Sequence, residues 1–450
     1  MFLHVRLPNS NILLMICTLT GVQSFGQTSL LQSGPMLGYS EMKEVLLWVQ
    51  TTEPAEVYYA YWEKGVAHPD TLFTQTVLTD EEEANTAKVI ADRVVPGKTY
   101  QYRVYLNDRA LQLGYPTEFQ TQPIWKWRRD PPDFTMVTGS CAYINEPEYD
   151  RPGTPYGSHY EIFEAIFQQH PDMMLWLGDN TYLREADWFT ETGYWHRYTH
   201  TRSLPELQPL LASTHQYAIW DDHDYGPNDS DRSWVHKELA HRVFQAFWGN
   251  PTFGHPDLDG GITTMFQFHD VDFFLLDDRW FRSPDHRKYT DRTMLGKAQL
   301  EWLLDALATS EASFKIVATG NMVLSTAAVA ENYGIYPQEQ AYLIEQLQKE
   351  KIPGVVFLTG DRHYTELSRY TSSDGYILYD LTCSPFTSGV NTAGDRESNA
   401  WRVPGTVVMD HNFASIRFSG PEKERVMTIT IYNWEGIKQW EREIRADEWK

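Results

Sequence analysis

Leu175-Trp-Leu-Gly-Asp-Asn-Thr-Tyr182 decides the fold of this 450-residue chain. Met173 to Leu177 is an unbroken apolar run with Pro171-Asp172 before it and Gly178 after it, the pattern of a fully buried strand that ends in a sharp turn. The turn delivers Asp179, and Tyr182 follows three residues later, so a carboxylate and a phenol from one short loop can reach a single point. A carboxylate can bridge two cations, and a phenolate favours ferric iron over softer or less charged metals. The competing reading is a loop whose Asp serves only as a helix N-cap.

Two later stretches repeat the pattern. Ala218-Ile-Trp-Asp-Asp-His-Asp-Tyr-Gly-Pro-Asn-Asp229 is a short apolar strand that runs into a loop rich in aspartate, with His223 and Asn228. Gly354-Val-Val-Phe-Leu-Thr-Gly-Asp-Arg-His363 is another buried strand, ending in Asp361-Arg362-His363. In α/β sheets the ligand site lies beyond the carboxyl ends of the strands, so such loops converge on one site. Carboxylates and imidazoles brought together without a cation would repel and shift one another's pKa values, which makes a metal cluster the economical explanation.

Cys141 ends a fourth strand, Phe134-Thr-Met-Val-Thr-Gly-Ser-Cys141, and occupies the same architectural position as Asp179. Three cysteines occur in the sequence; Cys17 falls in the amino-terminal leader, leaving Cys141 and Cys383. They could form a disulfide in an exported protein, or Cys141 could be a metal-bound thiolate while Cys383 is a buried structural thiol.

Residues 1–26 read as a secretory signal, with a weakly basic start (His4, Arg6), a short apolar core from Ile12 to Leu19, and Ser24-Phe25-Gly26 as cleavage site. The apolar core is too short to span a bilayer, and no other stretch is apolar for long enough. The expected product is secreted or periplasmic. Residues 27–122 alternate in short runs, such as Glu44 to Gln50 and Glu56 to Trp62, and suit an all-β domain of immunoglobulin or fibronectin III type. Residues 123–133 form a Pro-rich linker in which Trp125 and Trp127 are expected to pack on the neighbouring domain. From 134 to 450 strands and helices alternate, with helices expected at Ser158–Gln169, Trp234–Trp248 and Lys297–Leu307.

The formal net charge is −23. Removing residues 1–26, which hold Arg6 and no Asp, Glu or Lys, makes it −24. So acidic a chain is not built for nucleic acid, whose binding depends on basic patches. A small phosphate ester is still compatible, because bound cations invert the local field.

Taken together, Gly139-Ser-Cys141, Leu177-Gly-Asp-Asn-Thr-Tyr182, Trp220-Asp-Asp-His-Asp224 with Asn228, Leu276-Asp-Asp-Arg279 and Thr359-Gly-Asp-Arg-His363 resemble the PhoD-like alkaline phosphatase family of the calcineurin-like metallophosphoesterase group. The resemblance implies an α/β (α+β) fold, a metallophosphoesterase-type β-sandwich flanked by helices. It also implies a ferric ion and calcium, with zinc or manganese in a two-metal site as the alternative. Carried over by position, Cys141 and Tyr182 would bind iron, Asp179 would bridge to a neighbouring cation, and Asn228, Asp361 and His363 would complete the set. His223 and Arg362 would steady the leaving group and the nonbridging oxygens, and Asp222 would ligate directly or orient His223. The implied activity is hydrolysis of small phosphomonoesters or phosphodiesters; the oligomeric state is left open, with a monomer favoured. A phospholipase D-like diesterase and a surface binding protein on a dead catalytic fold are the alternatives. Where better-known relatives carry Glu after the His and paired asparagines, this chain has Asp224-Tyr-Gly-Pro and only Asn228.

Overall fold

The computed structural model describes residues 30–288, 291–327 and 329–449; the expected signal segment lies outside them. Two sheets face each other across the main core. In the centre of a nine-stranded sheet, Phe134–Gly139, Met173–Leu177 and His215–Ile219 run parallel and adjacent. In a six-stranded sheet, Val271–Leu275, Phe314–Ala318, Val355–Thr359 and Ile377–Thr382 are also parallel and adjacent. Every residue of Met173–Leu177, His215–Ile219 and Val355–Thr359 is buried, which is why these strands read as apolar runs rather than alternations. Aromatic side chains join the layers: Tyr217 stacks on Phe266 with centroids 4.1 Å apart, and Phe134 meets Phe268 at 5.1 Å.

Helices cover the outer faces. Ile162–Phe167 and Lys237–Phe247 bury Ile162, Phe163, Ile166, Val243, Phe244 and Phe247 against the larger sheet. Lys297–Thr309 and Pro337–Lys349 bury Leu303, Leu307, Leu343 and Leu347 against the smaller one. The three expected helices are present, the first two of them shorter than expected at both ends.

The amino-terminal segment is all β, but it is not separate from the catalytic fold. Leu31–Ser40 pairs parallel with His215–Ile219, Leu37 opposite His215, and so brings Val45–Thr51 and Thr86–Ala91 into the nine-stranded sheet. Glu56–Glu63 and Thr99–Leu106 lead a second sheet that closes on these strands around Val45, Leu47 and Val49, together with Tyr59, Tyr61 and Tyr102. In the linker, Trp125 is buried and donates to the carbonyl of His269 at 3.1 Å. Trp127 does not pack as expected; it is 91% exposed. Asp80-Glu-Glu-Glu83 is an exposed capped turn.

Candidate metal centre

The parallel strands of both sheets deliver their polar loops to one end. Gly178, with φ of +89°, turns the chain directly after Leu177, and a Cβ there would lie 2.5 Å from that of Asp221. Cys141, Asp179, Asp361 and His363 all hold φ between +51° and +64°, a region costly for residues other than glycine and characteristic of functional sites. The backbone is locked around them: Cys141 and Ala142 donate to the carbonyls of Gly178 and Asp179 at 3.4 and 2.8 Å, and Thr387 and Ser388 donate to that of Cys141 at 3.2 and 3.1 Å.

Cys141, Asp179 and His363 present ligand atoms within 4.8 Å of one another. Tyr182 Oη is 2.9 Å from Oδ2 of Asp179 and 3.4 Å from Nε2 of His363. His363 Nδ1 contacts the carbonyl of Gly389, which can only accept, so the proton sits on Nδ1 and the Nε2 lone pair faces the cluster. Burial pulls this imidazole down to about 4, keeping it neutral. Asp179, Asp222 and His223 form a second group with ligand atoms this close, and Asp221, Asp222 and Asp361 a third.

The electrostatics fit a cation. Burial, then the neighbouring Asp222, Asp224 and Asp361, pushes Asp179 well above the usual carboxylate range. Burial likewise raises Asp361, Cys141 and Tyr182, with Asp179 and Asp361 adding to the effect on Cys141. So much buried acid without a counter-charge is unfavourable, and a thiolate, a phenolate, an imidazole and a carboxylate are a donor set for a transition-metal ion. The carboxylates of Asp222 and Asp361 beside it suit a harder cation. Burial works against the Asp222 carboxylate, but His223 and Arg279 outweigh it and hold it below the usual range.

Not every candidate joins the cluster. Asn228 is exposed and makes no hydrogen bond to a cluster member. Arg362 directs Nη2 to Glu397 at 2.6 Å and Nη1 to the carbonyl of Ala330 at 3.0 Å. Asp222, a member of two of the ligand groups, also accepts from the backbone amides of His223 and Asp229 at 3.0 and 2.6 Å. Arg279 is an ion-pair residue: its Nε donates to Oδ1 of Asp221 at 2.5 Å. Cys141 and Cys383 are both buried and free, so they form no disulfide, and the Cys383 thiol points to the carbonyl of Thr138 at 3.5 Å.

Sequence reasoning missed Tyr156, whose hydroxyl lies 3.3 Å from His363 Nδ1 and whose ring meets Tyr143 edge-on. It also missed Glu331. Neither lies in a strand-end motif, so only the three-dimensional arrangement brings them to the site.

The architecture has known counterparts. A family model for the PhoD-like phosphatases matches residues 136–420, and a domain of unknown function (DUF7800) matches residues 28–124. Alkaline phosphatase D of Bacillus subtilis (strain 168) is 22% identical over 373 residues, spanning 70% of this chain and 60% of that protein, less than two thirds of its length. A solved structure of PhoD superposes with a TM-score of 0.74 at 17% identity, covering 93% of this chain and 92% of that one. Purple acid phosphatase PPD1 from yellow lupin seeds gives 0.66 at 11% identity, covering 92% and 74%. At such identities the two structures speak for the fold alone. The family match spans more than half of the chain, and with it the protein belongs to the PhoD-like phosphatase family.

Proposed function

We propose that the protein is an exported, metal-dependent phosphatase acting on phosphomonoesters, phosphodiesters or both. The observation that carries the reading is the convergence of Cys141, Asp179, Tyr182 and His363, three of them with ligand atoms within 4.8 Å and the fourth donating to Asp179 and lying 3.4 Å from His363. These four residues would hold a ferric ion. Asp222 and Asp361 would hold a calcium-type cation beside it, with Asn228 joining only after a movement of its exposed loop. When bound, such cations polarise phosphoryl oxygens and lower the pKa of water.

The chain's own groups have distinct tasks. Gly389 fixes the His363 tautomer, and the His223 backbone amide donates to Asp179 at 3.3 Å, which keeps that carboxylate turned into the cluster. The His223 imidazole packs on Tyr182 with centroids 4.2 Å apart, and burial lowers its pKa; in its protonated form it would give a proton to a departing alcohol. Arg362, tied to Glu397, would need to swing to reach a nonbridging oxygen.

The test is hydrolysis of p-nitrophenyl phosphate and bis-p-nitrophenyl phosphate before and after chelation and reloading. Loss on chelation with recovery on reloading supports the reading. Undiminished turnover by metal-free protein, or no turnover of either ester by loaded protein, contradicts it.

A further inference from the structure

Glu331 sits on the loop after the Phe314–Ala318 strand, 6% exposed, with φ of +55°. A glutamate held in the left-handed region is maintained by its surroundings rather than by local preference. Its Oε2 accepts from Nη2 of Arg279 at 2.7 Å and from Nδ2 of Asn321 at 2.9 Å, while Oε1 accepts from Nη2 of Arg282 at 3.1 Å. Burial is outweighed by Arg279 and Arg282, which hold Glu331 well below the usual carboxylate range.

Arg279 is fully buried and surrounded by acid. Besides Glu331 it pairs with Asp221, and Oδ1 of Asp222 lies 4.0 Å from its Nη2. With Asp278 Oδ1 at 3.8 Å from its Nε, Arg279 has four acidic neighbours, of which Asp222 is the most distant. Asp222 belongs to two of the three candidate ligand groups, so whatever neutralises it competes with a cation.

We propose that Glu331 is a positioning residue for the cation cluster: it anchors Arg279 away from Asp222, leaving the Asp222 carboxylate to a cation instead of a guanidinium. This rests on the proposed function, because it presumes a cation beside Asp222. Glu331→Gln removes the competing charge, and Arg279 then closes on Asp222. The double variant Arg282→Gln/Glu331→Gln does the same without leaving Arg282 uncompensated, which separates charge partition from simple destabilisation.

The measurement is calcium binding to the iron-loaded full chain by calorimetry, with visible absorption and a thermal melt recorded on each sample. Both variants should bind calcium about 10-fold more weakly or worse, the scale of an outer-sphere partner. The absorption arising from the Cys141 and Tyr182 side should be unchanged. Calcium affinity within twofold of wild type in a folded variant, equal loss of the iron-side absorption, or failure of both variants to fold would each overturn the assignment. A wild type that takes up no cation at all would instead sink the proposed function.

Discussion

Tyr182 Oη lies 2.9 Å from Oδ2 of Asp179, three residues earlier on the same turn, with both groups buried. One loop thus buries a carboxylate and a phenol side by side, and a bound cation would offset the cost of crowding them with the neighbouring aspartates. Without a cation, the crowding of Asp222, Asp224 and Asp361 around Asp179 would go uncompensated.

Asp179→Asn should accordingly have opposite effects in the two forms. Without metal it removes a buried, crowded carboxylate and should raise the melting temperature. With metal it should lose at least about 100-fold in activity and melt below the wild type, exceeding the usual cost of losing an outer-sphere partner. Paired thermal melts and rate measurements on stripped and reloaded protein check both signs.

Gly320 leaves no room for a side chain: a Cβ would lie 2.5 Å from the Asp221 carboxylate, whose partner is Arg279. Gly320→Ala should cost about 1–3 kcal/mol by overpacking, measured by urea unfolding. It should also weaken metal retention, because Asp221 and Asp222 are adjacent on the same turn.

His215 is buried against the Gly38 carbonyl, which its Nδ1 approaches to 2.8 Å, and burial pulls its pKa down to about 4. The unfolded value is about 6.5, so above that pH the ring is neutral in both states. Between about 6.5 and 4 the unfolded chain takes up a proton that the folded chain refuses, and stability falls as pH falls. His215→Asn has no such proton. Its stability deficit relative to wild type should narrow by about 2–3 kcal/mol between about pH 7.5 and 4.5 in urea titrations. A constant deficit would show that the ring is not held neutral.

The strand-end motifs are legible in the sequence because each is local. Met173–Leu177 is an unbroken apolar run and Val355–Thr359 is apolar up to its last residue, and the turn that follows each strand also carries a polar candidate ligand, Asp179 or Asp361. The pairing of Leu37 with His215 has no local signal, since the partners are far apart in sequence and Gly34-Pro35 interrupts the strand pattern. That is why the sequence points to an independent amino-terminal sandwich where three strands extend the catalytic sheet. The Glu191–Arg202 helix is hidden for another reason: Arg197 and Arg202 are buried along with Tyr194, Trp195 and Tyr198, so its inner face is not apolar. Glu331 gives no sign because its partners, Arg279 and Arg282, lie in a different stretch of the chain.

A visible absorption spectrum of the purified protein, recorded beside its metal content and repeated on Tyr182→Phe and Cys141→Ser, tests the metal centre most directly. A ferric ion held by a phenolate and a thiolate gives charge-transfer colour that either substitution alters, with iron retained in the wild type. A colourless wild type rich in zinc or manganese, or a coloured one whose spectrum both substitutions leave unchanged, would contradict an iron site built on Cys141 and Tyr182.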